Sequence, residues 1–382
     1  VGFGYHIESL IEHYDIRHLI IIEDDLEMLK LSLHTADWDK ILNEFQKSNR
    51  YLDLIYGQDG NQITDRLLQA VHDTNPIFIS HAHFYKHYSR EAFSQCMESL
   101  VEKYIVPTLG WGYFDDEFET IKQTLANLQN GIPLLKQNRS SELDIPVFIV
   151  ASGPSLDESI SAIKEHQDRV IIFSCGTALT ALYNHGIKPD FHIEMERPYK
   201  KYEALMQCAD QDFIRSLNII APCRVHPCLL SESPTTYSYI KTPDAGGSFV
   251  NTKFRRISFD NPTVTNAAFS LACELGFKEI FLFGTDLGFS ECGKHHSKDT
   301  IYYGNDQFNH VNPKKSMHIK KYDGQDMNSN EILYWAKISL ENRILIEKDI
   351  NVYNMSRGAY ISRTFLCENN ELSIYPSSQS KN

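Results

Sequence analysis

The stretch VFIVASGPSLDESI, residues 147–160, decides the reading of the fold. Four apolar residues give way at Ala151-Ser152-Gly153-Pro154-Ser155, and a helix-like pattern beginning at Leu156 follows. A short apolar run that passes through small residues into a helix is how a buried strand of a parallel sheet hands over to its crossover helix. In open parallel sheets, ligands bind outside the carboxyl ends of the strands, and this turn falls at such an end. Gly153 allows close backbone approach, Pro154 stiffens the turn, Ser155 suits an N-cap, and Asp157-Glu158 suit the first helical turn. The amides of such a helix start suit a phosphate. A tight, well-capped turn that holds no ligand accounts for the same residues. The segment is shorter than a Walker loop and lacks its lysine, which argues against ATP hydrolysis.

The pattern repeats along the chain. Strands are expected at 170–174, 190–194, 217–221, 278–283 and 350–354, with helices at 156–166 and 178–185. Short apolar strands alternating with helices predict the α/β class. The expectation is a Rossmann-like central domain with a mostly parallel sheet, preceded by a smaller α/β domain. The expected limits are 1–115 for a partial nucleotide-type domain and 116–310 for the central domain. Residues 311–382 then supply a helix, the last sheet strand and a disordered tail.

At the start of the chain, Gly2 and Gly4 precede a helix over 6–13 and a strand over 19–22 ending in Glu23-Asp24-Asp25. This reads as a βαβ unit whose first strand lies before residue 1. An acid about 20 residues after a glycine turn is where such folds hold a ribose, although a ligand-free scaffold fits as well. Residues 25–75 read as helices with polar links, and 75–79 as a strand. His83 and His87 are spaced to share a helical face, but no HExxH-type glutamate lies between them, so they read as surface or packing histidines. A helix is expected over 115–137, then an irregular polar link over 138–146.

Bulk properties narrow the function. A chain of 382 residues suggests two or three domains. It is 42% hydrophobic and 23% charged, with no apolar run of the ~18 residues a spanning helix needs. A net charge of −13 repels nucleic acid and anionic membranes, so neither is expected as a partner. The chain opens on Val1 rather than Met, so N-terminal residues are expected to be missing. The eight cysteines form no CxxC pair and read as reduced, buried thiols of a cytoplasmic protein, without a zinc site.

Three further stretches could carry chemistry. In 174–198, Cys175-Gly176-Thr177 and then Glu194, Glu196 and Arg197 fall at two more strand ends. Two carboxylates and a guanidinium there could bind ribose hydroxyls, an acceptor or a sugar carboxylate. In 261–289, Thr263, Thr265 and Asn266 can cap a helix over 267–275, and a later strand runs into Gly284-Thr285-Asp286. A tight turn with Gly246, Gly247 and Ser248 is expected beside this site. In 293–304, His295, His296 and Lys298 lie in a polar loop, where a histidine with a pKa near ~6.5 suits a general base. A surface loop with incidental histidines fits those residues too.

Taken in order, SGPSLD (152–157), HGIKPDF (185–191) and ELGFKEIFLFGTDLGF (274–289) resemble the central domain of the bacterial motility accessory factors. Those are flagellin glycosyltransferases of the 6-hydroxymethylpterin pyrophosphokinase MptE-like superfamily. The opening GFGYHIESLIEHYDIRHLIIIEDD (2–25) resembles the N-terminal domain of the same family, and INVYNMSRGAYI (350–361) its last sheet strand. The first turn, residues 275–287 and His296-Ser297-Lys298 are also distantly similar to bacterial sialyltransferases that use CMP-sialic acid. The chain departs from them at Ser152 and at Cys175-Gly176, where those enzymes carry asparagines.

The resemblance implies transfer of a nonulosonic acid, of the pseudaminic or legionaminic type, from its CMP-activated form to Ser or Thr of flagellin. His296 would be the base, with Asp286 and Glu194 as further catalytic candidates. Ser152, Gly153, Pro154, Ser155, Gly176, Thr177, Glu196, Arg197, Gly247, Ser248, Thr265, Asn266, Gly284 and Lys298 would bind substrate. CMP is a competent leaving group, so no cofactor is required, and Mg2+ is an optional addition. Two other readings stay open. One is a pterin pyrophosphokinase using ATP and Mg2+ held by Glu194, Glu196 and Asp286; the other is a non-catalytic flagellin-binding accessory protein.

Overall fold

Gly4, in left-handed backbone at φ 85°, starts the first helix, α1 (Tyr5–His13). A Cβ there would lie 2.5 Å from that of Ala36, so the turn has room only for glycine. The computed structural model describes residues 1–46, 50–74, 79, 81–103, 113–136, 142–242, 244–247, 250, 254, 256–289, 295–301 and 317–372. Its two units are Val1–Leu109 and Gly110–Asn382.

In the first unit, α1 leads to β1 (His18–Glu23), α2 (Leu26–Thr35), α3 (Trp38–Phe45), β2 (Tyr51–Tyr56), α4 (Gly60–Thr74) and α5 (Glu91–Lys103). β1 and β2 pair in parallel, from His18 opposite Tyr51 to Glu23 opposite Tyr56. β2 falls within the span expected to be helical. Asp53 interrupts its apolar pattern, and that carboxylate is matched across the ladder by His18 Nε2 at 2.6 Å. Of the strand expected at 75–79, residues 75–78 lie outside the described residues. Residues 82–90 are irregular, so His83 and His87 share no helical face. His87 stacks on His6, with ring centroids 5.1 Å apart. Of the three acids at the end of β1, Glu23 is engaged by the protein. Glu23 is fully buried, and its carboxylate accepts the Tyr88 hydroxyl at 2.6 Å and the amides of Asp24 and Asp25.

The second unit runs α6 (Phe114–Gln129), β3 (Val147–Val150), α7 (Leu156–His166), β4 (Ile171–Cys175), α8 (Ala178–Asn184), β5 (Phe191–Ile193), α9 (Tyr199–Cys208), α10 (Gln211–Arg215), β6 (Asn218–Pro222), α11 (Pro227–Ser231) and β7 (Thr235–Lys241). Then follow β8 (Arg256–Ile257), α12 (Val264–Leu275), β9 (Glu279–Phe283), the antiparallel pair β10 (Met317–Lys320) and β11 (Asp326–Ser329), α13 (Glu331–Ile346), β12 (Asn351–Asn354) and β13 (Phe365–Leu366). Nine strands form one sheet in the order β13-β12-β9-β3-β4-β5-β6-β7-β8. Every pairing in it is parallel.

Both faces of this sheet are covered, which explains the unbroken apolar runs. Phe148, Val150 and Ile172 pack with Leu156, Ile160 and Ile163 of α7 and with Ala178 and Leu182 of α8. Their alternating neighbours, Val147, Ile149, Phe173 and Cys175, pack under α12 and α13. From β3 the chain first winds outward through β4 to β8, then returns to lay β9 on the other side of β3. The reversal creates a crevice outside the carboxyl ends of β3 and β9.

β7 and β8 were not anticipated from sequence. β7 reads TTYSYIK, and its inward Ser238 hydroxyl donates to Ala221 O at 2.9 Å, while Lys241 pairs with Asp260 at 2.8 Å in full burial. α6 is turned the opposite way from most surface helices. It buries Thr120, Gln123, Thr124 and Asn127. The Asn127 amide donates to the carbonyls of Cys223 and Val225 at 2.7 and 2.9 Å.

Seven described cysteines carry free thiols, five of them buried, and Cys292 lies outside the described residues. Burial pushes the thiols of Cys208 and Cys223 up to about 12 and about 11, far from reactive thiolates. No helix among the described residues is long and apolar enough to cross a membrane.

Candidate active site

The turn after β3, the turn after β9 and residues 295–301 meet at the carboxyl edge of the sheet. The turn after β3 was expected to offer its amides to a phosphate, and the structure corrects this. Gly153 N donates to Gly284 O at 2.9 Å, and Ser155 N donates to Asp286 Oδ2 at 3.0 Å. The Ser155 hydroxyl donates to the same carboxylate oxygen at 2.9 Å. The anion at the start of α7 is therefore the protein's own Asp286. Gly153 is needed because a Cβ would come within 2.3 Å of Asp286 Oδ2 and 2.4 Å of Gly284 O. Gly284, at φ +62°, meets Ala151 O just as closely. Pro154 lies half-buried in the same turn. These residues, Asp286 included, tie two strand ends together.

Burial pushes the Asp286 carboxyl up to about 6, despite the two bonds from Ser155. Its folded pKa exceeds the ordinary value, so the stability it confers is complete below about pH 4 and is lost as pH rises through about 6. The amount is about 3 kcal/mol. Asp286→Asn keeps an oxygen for Ser155 and removes the titration. In urea denaturation the variant should gain stability relative to the parent as pH rises from about 4 to 6, then hold a constant advantage. A difference independent of pH would refute the assignment.

The loop carrying His296 is docked on the same turn. Ser152 Oγ lies 3.1 Å from His296 Nδ1, and Ser152 O accepts Ser297 N at 2.7 Å. Burial, aided by His295 and Lys201, holds the His296 imidazole down to about 3, so it is neutral at pH 7. Lys298 has an exposed side chain, and its amide donates to Asp157 Oδ2 at 3.4 Å. The role of Asp157 was not read from sequence, where the only signal was an acid in the first turn of a helix.

At the next strand ends, Gly176 has left-handed backbone at φ +50°, and a Cβ there would sit 3.5 Å from Glu194 Oε1. Thr177, the N-cap of α8, makes no side-chain cap bond. The Gly176 amide donates to Ile193 O at 3.1 Å, and neither this helix start nor that of α7 carries a side-chain bond from its own N-cap residue. Glu194 is buried, with Oε1 3.6 Å from His192 Nε2; His192 Nδ1 lies 2.8 Å from the Ser174 hydroxyl. Glu196 is half-buried beside it.

Arg197 was expected to bind substrate, but its guanidinium is held by α6. It donates to Asp116 O and Thr120 Oγ1 at 3.0 Å each, and lies 3.5 Å from the Asp116 carboxylate and 3.6 Å from Glu117. Arg197→Ala is expected to lower the melting temperature while leaving nucleotide affinity unchanged; lost affinity in a fully folded variant would restore the binding role. Asn266 is likewise engaged. It exchanges bonds with Thr263 across the start of α12, and its amide donates to Ala336 O at 2.9 Å. Thr265 lies beside the buried Cys175 thiol. Gly247 N donates to Asp244 Oδ1 at 3.0 Å, which closes the expected turn, and Ser248 lies outside the described residues.

The chain is similar to known proteins. Residues 118–292 match the family model described as 6-hydroxymethylpterin diphosphokinase MptE-like. Residues 1–107 match the model described as Glycosyltransferase Maf N-terminal domain. The chain belongs to the Maf motility accessory factor family. A solved Maf glycosyltransferase from Magnetospirillum magneticum AMB-1 superposes with a TM-score of 0.65 at 26% identity, over 98% of this chain and 57% of that one. This Maf chain thus spans just over half the length of its solved relative. An uncharacterized protein of Treponema pallidum (strain Nichols) is 38% identical over 55 residues, 14% of this chain and 26% of that protein.

Proposed function

We propose that this Maf chain transfers a nonulosonic acid of the pseudaminic or legionaminic type from its CMP-activated donor to a Ser or Thr hydroxyl of flagellin. The glycosyltransferase description of the matched N-terminal model and of the solved relative supports the reaction class. The observation that carries the reading is a neutral His296 fixed against Ser152 at the crevice where the strand order reverses.

In this reaction the bond from the anomeric carbon to the phosphate oxygen breaks, and its electrons stay on CMP. The acceptor hydroxyl attacks the same carbon and gives its proton to His296. With Nδ1 turned to Ser152, Nε2 is the atom assigned to that proton. The donor's carboxylate and phosphate, once bound, raise the basicity of the ring. The growing phosphate charge is assigned to the start of α8 at Thr177, since the Ser155 amide after β3 is already held by the Asp286 carboxylate. No cofactor is required by this scheme.

One pH dependence follows. kcat/KM reports groups of the free enzyme. His296 stays neutral down to about 3, so kcat/KM should show no fall near pH 6.5 on the acid side. A histidine-like acid limb at about 6.5 would assign the proton elsewhere.

The pterin pyrophosphokinase reading is favoured by the description of the central model. It needs one or two carboxylates that hold Mg2+ against the phosphates of ATP. Among the described residues no group of three or more His, Cys, Asp or Glu is placed to hold a metal ion, so Glu194, Glu196 and Asp286 do not form one cluster. Calorimetric titration with CMP, with and without Mg2+, separates the two. CMP binding without metal is the expected result. Binding of ATP only with Mg2+ would overturn it in favour of the kinase, and no nucleotide binding in favour of a scaffold.

A further inference from the structure

We infer that Asp157 and Ser297 form a latch that fixes His296 over the turn after β3, which makes Asp157 a positioning residue for sugar transfer; this rests on the glycosyltransferase reading. Asp157 lies in the first turn of α7, where an acid would favour the helix whatever its neighbours. Its carboxylate nevertheless reaches across 140 residues of sequence. One oxygen accepts the Ser297 hydroxyl and the other accepts the Lys298 amide at 3.4 Å.

Ser297 is buried, at 1% exposure. Its amide donates to Ser152 O at 2.7 Å, so the residue is gripped from both ends of the β3–α7 turn. Its carbonyl accepts the Thr300 hydroxyl at 2.8 Å, which folds the segment back on itself. A second anchor is the Asp299 carboxylate, 3.0 Å from His185 Nε2. His296 immediately precedes this gripped residue; Ser152 Oγ lies 3.1 Å from its Nδ1, and His295 and Lys201 act on its charge. The imidazole is thus placed by a rigid strand–helix junction rather than by its own loop, as a site held to fractions of an ångström requires. A displacement of about 1 Å from the reacting geometry can cost about 100-fold in rate.

The test uses the whole chain with CMP as probe, transfer assays, and the nuclear magnetic resonance of the His296 ring. Asp157→Ala and Ser297→Ala should each lower kcat by about 10- to 100-fold with CMP affinity unchanged, and the double variant should be no worse than either single one. Asp157→Asn and Ser297→Thr, which keep an acceptor and a hydroxyl, should recover most of the rate. In the parent the ring should titrate far below the ordinary value of about 6.5, and in Asp157→Ala it should move up toward that value as water reaches it. An unmoved ring titration in folded Asp157→Ala would overturn the latch, and so would an unchanged kcat in both alanine variants. Full transfer by His296→Ala would instead overturn the reading beneath it, and the ring titration tests the latch in that case as well.

Discussion

His296→Ala is expected to cut transfer to flagellin by about 100- to 10,000-fold, the range that a positioned general base contributes. CMP affinity should stay within about twofold, because the phosphate is assigned to the start of α8 at Thr177 and His296 meets the acceptor. The variant should fold: the ring is half-buried, and the loop that carries it stays tied to the β3–α7 turn through Ser297. His296→Gln is the sharper form of the experiment. It keeps a polar group near Ser152 yet accepts no proton at neutral pH, so it should lose as much rate as alanine. Labelled-sugar transfer and CMP calorimetry on the same preparations give both quantities. Full rate in either variant removes His296 from the chemistry.

The second large effect is on folding. Gly153→Ala should destabilise the second unit by about 3 kcal/mol, the upper end for forced overpacking, and lower its melting temperature by about 10 °C. The added carbon meets a backbone carbonyl, Gly284 O, at 2.4 Å, and the carboxylate of Asp286 at 2.3 Å, neither of which is the loose end of a flexible chain. Gly358 repeats the constraint from another side, since a Cβ there would lie 2.2 Å from Asp286 O. Gly324→Ala is the matched control. Its φ is positive, at +80°, which that of Gly153 is not, and nothing lies within 4 Å, so the backbone preference alone, about 1 kcal/mol, is lost. Calorimetric melting separates the two. A Gly153→Ala protein with an unchanged melting temperature and no CMP binding would mean that the glycine serves a ligand after all.

Much of the fold was legible because its signals are local. Apolar Leu156, Ile160 and Ile163 share one helical face, and α7 spans the residues their spacing indicates. β4, β5, β6, β9 and β12 fall within a residue of their expected limits for the same reason. β2 and β7 were missed because polar residues inside them find partners on other elements: His18 for Asp53, Asp260 for Lys241. A single sequence does not display such pairs. The site divides the same way. The strand ends that form the crevice could be located, since parallel strands all present their carboxyl ends to one edge. The partners could not. Nothing near Ser155 announces that its amide and hydroxyl face Asp286, which is 131 residues away. Nothing near Arg197 announces α6, whose residues hold its guanidinium.

The two outermost strands of the large sheet, β8 and β13, have two residues each. An unpaired strand edge is a template on which another chain can add, and a growing fibril extends by copying such an edge along its length. Here, among the described residues, each outermost strand offers two residues of ladder, a short template for an incoming strand. Growth of the sheet past β8 or β13 into a neighbouring copy would have to start from those two-residue edges.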